Sequence, residues 1–288
     1  MHGIIAAVPT PLCNNGDPIH DIFISHCSWL LENGCDGINI LGTTGEANSL
    51  NNKQRIALMK FSSSRLNLNK LMVGTGTPSL SETISLTETA DDLGYKVALV
   101  LPPYYYKPAT NLGLFDWYKT LHMKLNARKI KVFFYNFPQM TGIQIPIEII
   151  KKLNQLFPER FTGIKDSSGD LSYCHELSKI SQFSVFPSSE VSIGEAHKCN
   201  FSGCISATAN QTSSLCAIAW ENRANKNITL IGKIKVIRER IASDSLIASI
   251  KFLVSLKTKN KEWCNILPPL NKLNNDRKEE LLKLNQNL

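Results

Sequence analysis

Short apolar runs alternate along most of this chain with longer stretches whose apolar positions recur every third or fourth residue. The first pattern marks buried strands and the second amphipathic helices. "GIIAAVPTPL" predicts a strand. "DIFISHCSWLLENG" predicts a helix closed by Gly34, the residue type that best tolerates a left-handed cap. "GINILG" is the next strand, with a helix from about Asn52. "KLMVGTG" precedes a helix starting near Ser79, and "KVALVLP" one from about Leu112. "KIKVFFYNFP" precedes a helix opening near Pro146, where proline suits a first turn. "FTGIKDSS" leads into "DLSYCHELSKI", "FSVFPSS" into "VSIGEAHKC", and "GCISATAN" is the eighth candidate strand.

These strands are short, rich in β-branched and aromatic residues, and apolar on both faces. Parallel strands covered by helices have that character. Eight strand–helix units predict an α/β fold, a (β/α)8 TIM barrel over residues 1–221. Residues 222–288 read as all-helical, a C-terminal extension packed on the barrel. A doubly wound open sheet is the competing architecture, but it usually has fewer strands. No Gly-, Ser- or Pro-rich linker marks a second compact domain.

Composition narrows the function classes. The chain has 288 residues, 43% of them hydrophobic, enough for one large core. It holds no apolar run of about 18 residues, so no membrane span is expected. The start, "MHGIIAAVPTPL", lacks a basic region before a long apolar stretch and is broken by Pro9 and Pro11, so it does not read as a signal peptide. Eight cysteines lie without C-x-x-C pairing and suggest thiols in a reducing compartment, hence a cytoplasmic protein. "HKC" at 197–199 reads as helix surface rather than a ligand pair, and no metal site is expected. The net charge of +8 gathers in the last third on solvated helix faces such as "DRKEELLKLNQ". Basic and aromatic residues are not interleaved, so nucleic acid is not the expected partner. A mildly basic barrel instead favours small anionic substrates.

In such a barrel the chemistry sits where the strands end. Strand two delivers "GTTGE", with Thr43, Thr44 and Glu46. Strand four delivers Tyr104, Tyr105 and Tyr106, strand five Tyr135, and strand six Lys165. Tyr105, Tyr135 and Lys165 fall at equal intervals, about one strand–helix unit each, which predicts one height at the mouth. Singly, each has a plain structural reading. A strand-end lysine commonly snorkels to water and a strand-end tyrosine is commonly core with a wet hydroxyl. "GTTGE" alone is a turn, without the G-K-[ST] of a phosphate loop, and "VGTGTPS" lacks the third glycine of the dinucleotide fingerprint. The convergence of a lysine, two tyrosines and a hydroxyl-rich turn is what carries chemical weight.

That set can do imine chemistry. An amine attacks a ketone only when unprotonated, and burial in an apolar barrel disfavours the charged form. A tyrosine can carry the proton as a carbinolamine forms and collapses. Backbone N–H groups and threonine hydroxyls of a glycine turn can hold an adjacent carboxylate. A 2-oxo acid fits, and pyruvate is the smallest suitable one.

"GTTGEANSL", "YNFPQMTG" and "GIKDSSGD", in this order and spacing, resemble the dihydrodipicolinate synthase / N-acetylneuraminate lyase (DapA-like) family of pyruvate-dependent class I aldolases. The resemblance runs over about residues 3 to 220 and more loosely through the helical tail. It implies that Lys165 forms the imine, that Tyr135 shuttles protons, and that Thr43 and Tyr105 are its relay partners. Tyr105 would reach in from a neighbouring subunit of a homotetramer built as a dimer of dimers. Thr43 and Thr44 would grip the pyruvate carboxylate, and Ile205 would line the site through its backbone. The family chemistry needs neither metal nor organic cofactor.

Two positions depart from the synthase branch. Where those enzymes carry an arginine that clamps the carboxylate of aspartate semialdehyde, this chain has Met140, which offers no charge and no bidentate donor. Losing such a clamp costs on the order of a hundredfold in affinity. Ser188 stands where the synthases tend to carry glycine near the second-substrate pocket. The "YNFP..TG" pattern also resembles the branch acting on 2-keto-3-deoxy sugar acids, so the resemblance implies a Schiff-base lyase or aldolase joining or cleaving pyruvate and an aldehyde, of that type. The lysine-pathway synthase is the first alternative, a dehydratase using the same imine the second, and a non-catalytic barrel binding a 2-oxo acid the third.

Overall fold

The structure, a computed structural model, describes residues 1–225 and 227–286. Eight strands alternate with helices from the N-terminus onward: β1 Gly3–Ala7, α1 His20–Glu32, β2 Gly37–Ile40, α2 Asn52–Arg65, β3 Leu71–Gly74, α3 Leu80–Asp92, β4 Val97–Val100 and α4 Asn111–Lys124. They continue as β5 Lys131–Asn136, the short α5 Pro138–Thr141, α6 Ile147–Leu156, β6 Phe161–Asp166, α7 Leu171–Ser178, β7 Ser184–Pro187, α8 Ile193–Cys199, β8 Gly203–Ser206 and α9 Ala209–Glu221. All strand pairs are parallel, in the order β7-β6-β5-β4-β3-β2-β1-β8. β1 pairs with both β2 and β8. Across the remaining seam between β7 and β8 the Ser202 N–H donates to the Val185 carbonyl at 2.9 Å. The fold is a (β/α)8 barrel.

The local signals explain most of the boundaries. α2 starts with a reciprocal capping box between Asn51 and Gln54, and α3 with the Ser79 hydroxyl accepting from the Glu82 N–H. Gly34 follows α1 at φ +103°, as its position after the amphipathic stretch predicts. α5 was not legible as a helix. Its single turn opens on Pro138 and ends at Gly142 in the left-handed region, so it reads from sequence as a turn.

Strand alternation sorts the core into two layers. Ile5, Met72, Leu99, Phe133, Tyr135, Phe186 and Ile205 point into the barrel. Ile4, Ile38, Val73, Val100, Phe134, Ile164 and Val185 point outward under the helices. β6 holds a register shift against β5 between Val132 and Phe133. There Gly163 is required: a β-carbon would lie 2.8 Å from the Phe133 ring and 2.7 Å from the Ser184 carbonyl.

After α9 come three further helices, α10 Ile228–Ala242, α11 Leu246–Thr258 and α12 Asn275–Asn285. Ile237, Ile241, Ile250, Leu253, Val254, Trp263, Leu281 and Leu284 form an apolar cluster of their own, reaching Ala207 just beyond β8. The buried Arg277 guanidinium donates to the Arg240 and Ile241 carbonyls at the end of α10, where a cation satisfies the unpaired helix carbonyls. No helix among the described residues is long and apolar enough to cross a membrane.

Candidate active site at the barrel mouth

Lys165 is the penultimate residue of β6, directly beside Tyr135 of β5 in the ladder. Both side chains point inward. The Lys165 Nζ lies 3.2 Å from the Tyr135 hydroxyl and 4.3 Å from the centroid of its ring. That hydroxyl is also 3.2 Å from the Thr43 Oγ1 in the loop after β2. Lys165 is 4% exposed, and among the described residues no carboxylate lies within ion-pair distance of its nitrogen. The Lys165–Tyr135–Thr43 chain is an amine, a phenol and an alcohol in line.

The acid next to Lys165 in sequence takes no part in this chain. Asp166 points to the outer layer, because neighbouring strand residues face opposite ways. It accepts from the Asn136 amide at 2.7 Å and the Ser168 hydroxyl at 2.7 Å. Burial pushes its carboxyl above the ordinary range, and those hydrogen bonds oppose the shift. The Asn136 Oδ1 in turn accepts from the Ile145 N–H at 3.0 Å. Asp166 thus ties the ends of β5 and β6 together and does not pair with the amine.

These groups open onto a cavity of about 430 Å³. Thr43, Thr44, Tyr135, Lys165 and Ile205 line it from the barrel, with Met140 of α5 and Ser188 after β7 at one side. Thr44 and Ile205 are buried, while Met140 is 64% exposed at the rim. The Ser188 N–H donates to the Asp166 carbonyl at 2.8 Å. Seven of the eight candidate residues therefore gather around one space.

Tyr105 does not. It is 73% exposed, packs edge-to-face on Tyr106 at 5.2 Å, and does not line the cavity of its own chain. The expectation of equal height is corrected: β4 ends at Val100, so Tyr105 sits well out on the loop, whereas Tyr135 and Lys165 are still within strands. Equal sequence intervals give equal height only when the strands end in step.

The structure also adds residues that the sequence did not suggest. Arg238 of α10, Leu246, Ile247 and Ala248 of α11, and Ile266, Leu270 and Asn271 form the other wall. Arg238 is held by Glu190, with a nitrogen–oxygen distance of 2.7 Å, and donates to the Ser206 and Thr208 hydroxyls at 3.0 and 2.9 Å. Nothing in the local pattern of a solvated basic helix singles it out. Phe137 and Ser167 also line the cavity and lie inside the motifs around Tyr135 and Lys165. Among the described residues no three His, Cys, Asp or Glu side chains gather as a metal site.

An amine, a phenol and a threonine meet at the mouth of this (β/α)8 barrel, and the chain is a lyase or aldolase of the pyruvate-dependent class by its family. The chain belongs to the dihydrodipicolinate synthetase family, which it matches over residues 1–288. It is 31% identical to an uncharacterized DapA-like lyase of Chloroflexus aurantiacus over 76% of this chain and 74% of that protein. It is 32% identical to 4-hydroxy-tetrahydrodipicolinate synthase of Coxiella burnetii over 62% of this chain, spanning only about 60% of that enzyme. The crystal structure of dihydrodipicolinate synthase from Agrobacterium tumefaciens superposes with a TM-score of 0.90 at 25% identity, covering 100% of this chain and 99% of the other.

Proposed function

We propose that the protein forms a Schiff base between Lys165 and a 2-oxo acid and cleaves or makes the bond to C3 of pyruvate. The observation that carries this reading is the Lys165–Tyr135–Thr43 chain, with both links at 3.2 Å, in a cavity where no carboxylate among the described residues pairs with the amine. In the cleavage direction the Lys165 nitrogen adds to C2 of the substrate. The carbinolamine then loses its oxygen as water, with Tyr135 delivering the proton that makes hydroxide a leaving group. The C4 hydroxyl next gives up its proton to Tyr135. The C3–C4 electron pair flows into the imine and forms an enamine, and the aldehyde leaves. Protonation at C3 and hydrolysis release pyruvate and the free amine. Thr43 passes protons to and from Tyr135, and the Thr43–Thr44 turn receives the carboxylate.

The cavity favours a 2-keto-3-deoxy sugar acid, or a related polyhydroxy aldehyde, over aspartate semialdehyde. Met140 offers a thioether where a carboxylate would need a cation. Arg238 speaks for the synthase alternative, since it does line the cavity, but its charge is already matched by Glu190. The exposed Tyr105 and Tyr106 suit an assembly in which Tyr105 completes a neighbouring subunit's site, within a dimer of dimers. Eight free thiols suit a cytoplasmic enzyme.

Borohydride reduction in the presence of pyruvate tests the reading. The expected result is a stable adduct on Lys165, located by peptide mass. The same treatment leaving Lys165 unmodified over a broad pH range would favour a non-catalytic binder. A screen of aldehyde acceptors with pyruvate, read by product mass, then ranks the sugar-type acceptors against aspartate semialdehyde.

A further inference from the structure

Glu46 closes the turn that carries Thr43 and Thr44: its N–H donates to the Thr43 carbonyl at 3.1 Å. It is a non-glycine residue in the left-handed region, at φ +55°. A residue with a β-carbon is strained in that conformation and holds it only where the surroundings impose it. Here the surroundings come from the far end of the chain. One carboxylate oxygen accepts from the Lys251 ammonium, and the other accepts from the Leu267 N–H at 2.8 Å. The side chains of Lys251 and Glu46 are 1% and 0% exposed.

Both anchoring segments also build the cavity wall. Ile247 and Ala248 lie four and three residues before Lys251, hence on the same face of α11, and both line the cavity. Ile266, immediately before Leu267, lines it as well. One carboxylate therefore joins the turn under the substrate to both segments above it.

We propose that Lys251 is a positioning residue of the active site, which sets the Thr43–Thr44 turn through Glu46 and couples the C-terminal helices to pyruvate binding. This rests on the Schiff-base reading above. Lys251 touches no reacting atom. Its effect runs through Thr43, whose hydroxyl must stay within reach of Tyr135, and through Thr44, placed to hold the carboxylate. Displacements of about 1 Å in such a group can cost up to about a hundredfold.

The test is the pyruvate concentration that half-saturates borohydride trapping, measured with thermal stability. In Lys251→Met the expected rise is between about tenfold and a hundredfold, together with a lower Tm from the unpaired buried Glu46. The double variant Lys251→Met/Glu46→Gln removes that buried charge and serves if the single variant does not fold. It is expected to regain Tm yet keep the raised half-saturation, and Lys251→Arg to restore part of the binding. A folded variant with lower Tm but wild-type half-saturation would show a structural staple only and overturn this inference alone. Failure of the wild-type protein to trap pyruvate would overturn the lyase reading, and this inference with it.

Discussion

The two walls of the cavity are built differently. The floor comes from barrel strands: Tyr135 and Lys165 are ladder partners, both buried, on strands that hold them from both sides. The roof comes from helix ends and connections: Met140 is mostly exposed, and Leu246 follows Ser245, a serine at φ +46°. Groups on neighbouring strands hold a fixed separation, which suits a proton relay that tolerates little displacement. Connections accept substitution and insertion more readily, which suits the part of a site that meets a variable second substrate. On the proposed reading the two walls divide the work, with the reaction type set below and the acceptor chosen above.

The sharpest way to break that division is at the floor. Tyr135→Phe keeps the ring but removes the hydroxyl that joins Lys165 to Thr43. Its turnover should fall by about 10²–10⁴-fold, the usual worth of a general acid–base group, with every acceptor affected alike. A loss confined to one acceptor would show that the floor also selects substrate. At the roof, Met140→Arg should shift preference toward a carboxylate-bearing aldehyde such as aspartate semialdehyde by about 10- to 100-fold. The rate of imine formation with pyruvate should not change. Ratios of kcat/KM for paired acceptors read this directly, and brisk wild-type turnover with aspartate semialdehyde would reverse the assignment.

A smaller effect should come from where barrel and C-terminal helices meet. His26 of α1 is buried against the Trp263 ring at 5.1 Å, and its Nε2 lies 2.8 Å from the Asn210 Oδ1. Burial lowers its pKa from 6.5 to about 4, with the Asn210 hydrogen bond opposing the shift. The unfolded chain therefore binds this proton more readily than the folded one. Stability from the neutral ring is complete above about pH 6.5 and is lost as pH falls toward about 4, by at most ~3 kcal/mol. Denaturant melts from pH 7 to 4 should show this slope, and His26→Gln should flatten it. An unchanged slope in that variant would assign the acid sensitivity elsewhere.

Much of the floor was legible in the sequence. The apolar runs mark the eight strands, and the residues where each turns polar include Thr43, Tyr135, Lys165 and Ser188. Periodicity works here because a strand's side chains alternate with a fixed period of two. Tyr105 shows where that reasoning fails: loop length beyond a strand leaves no periodic trace. Arg238 and Lys251 were not legible for another reason. Arg238 is one of four cations on α10, and only its pairing with the buried Glu190 distinguishes it, while Lys251 is one of two lysines on the mostly apolar α11, and only its tertiary contact with Glu46 shows which of them meets a carboxylate.

The amino-acid order by itself determined that this chain would wind into a barrel with an amine, a phenol and a threonine turn at its mouth. Those features follow from short-range periodicity and from which residue ends each strand. Only the tertiary structure decided that, among the described residues, the amine would have no acid partner, and that a lysine 205 positions beyond Glu46 would pair with the carboxylate of that turn. Contacts of that range are chosen by the packing of whole helices, where burial and charge pairing act together, and no local pattern encodes them.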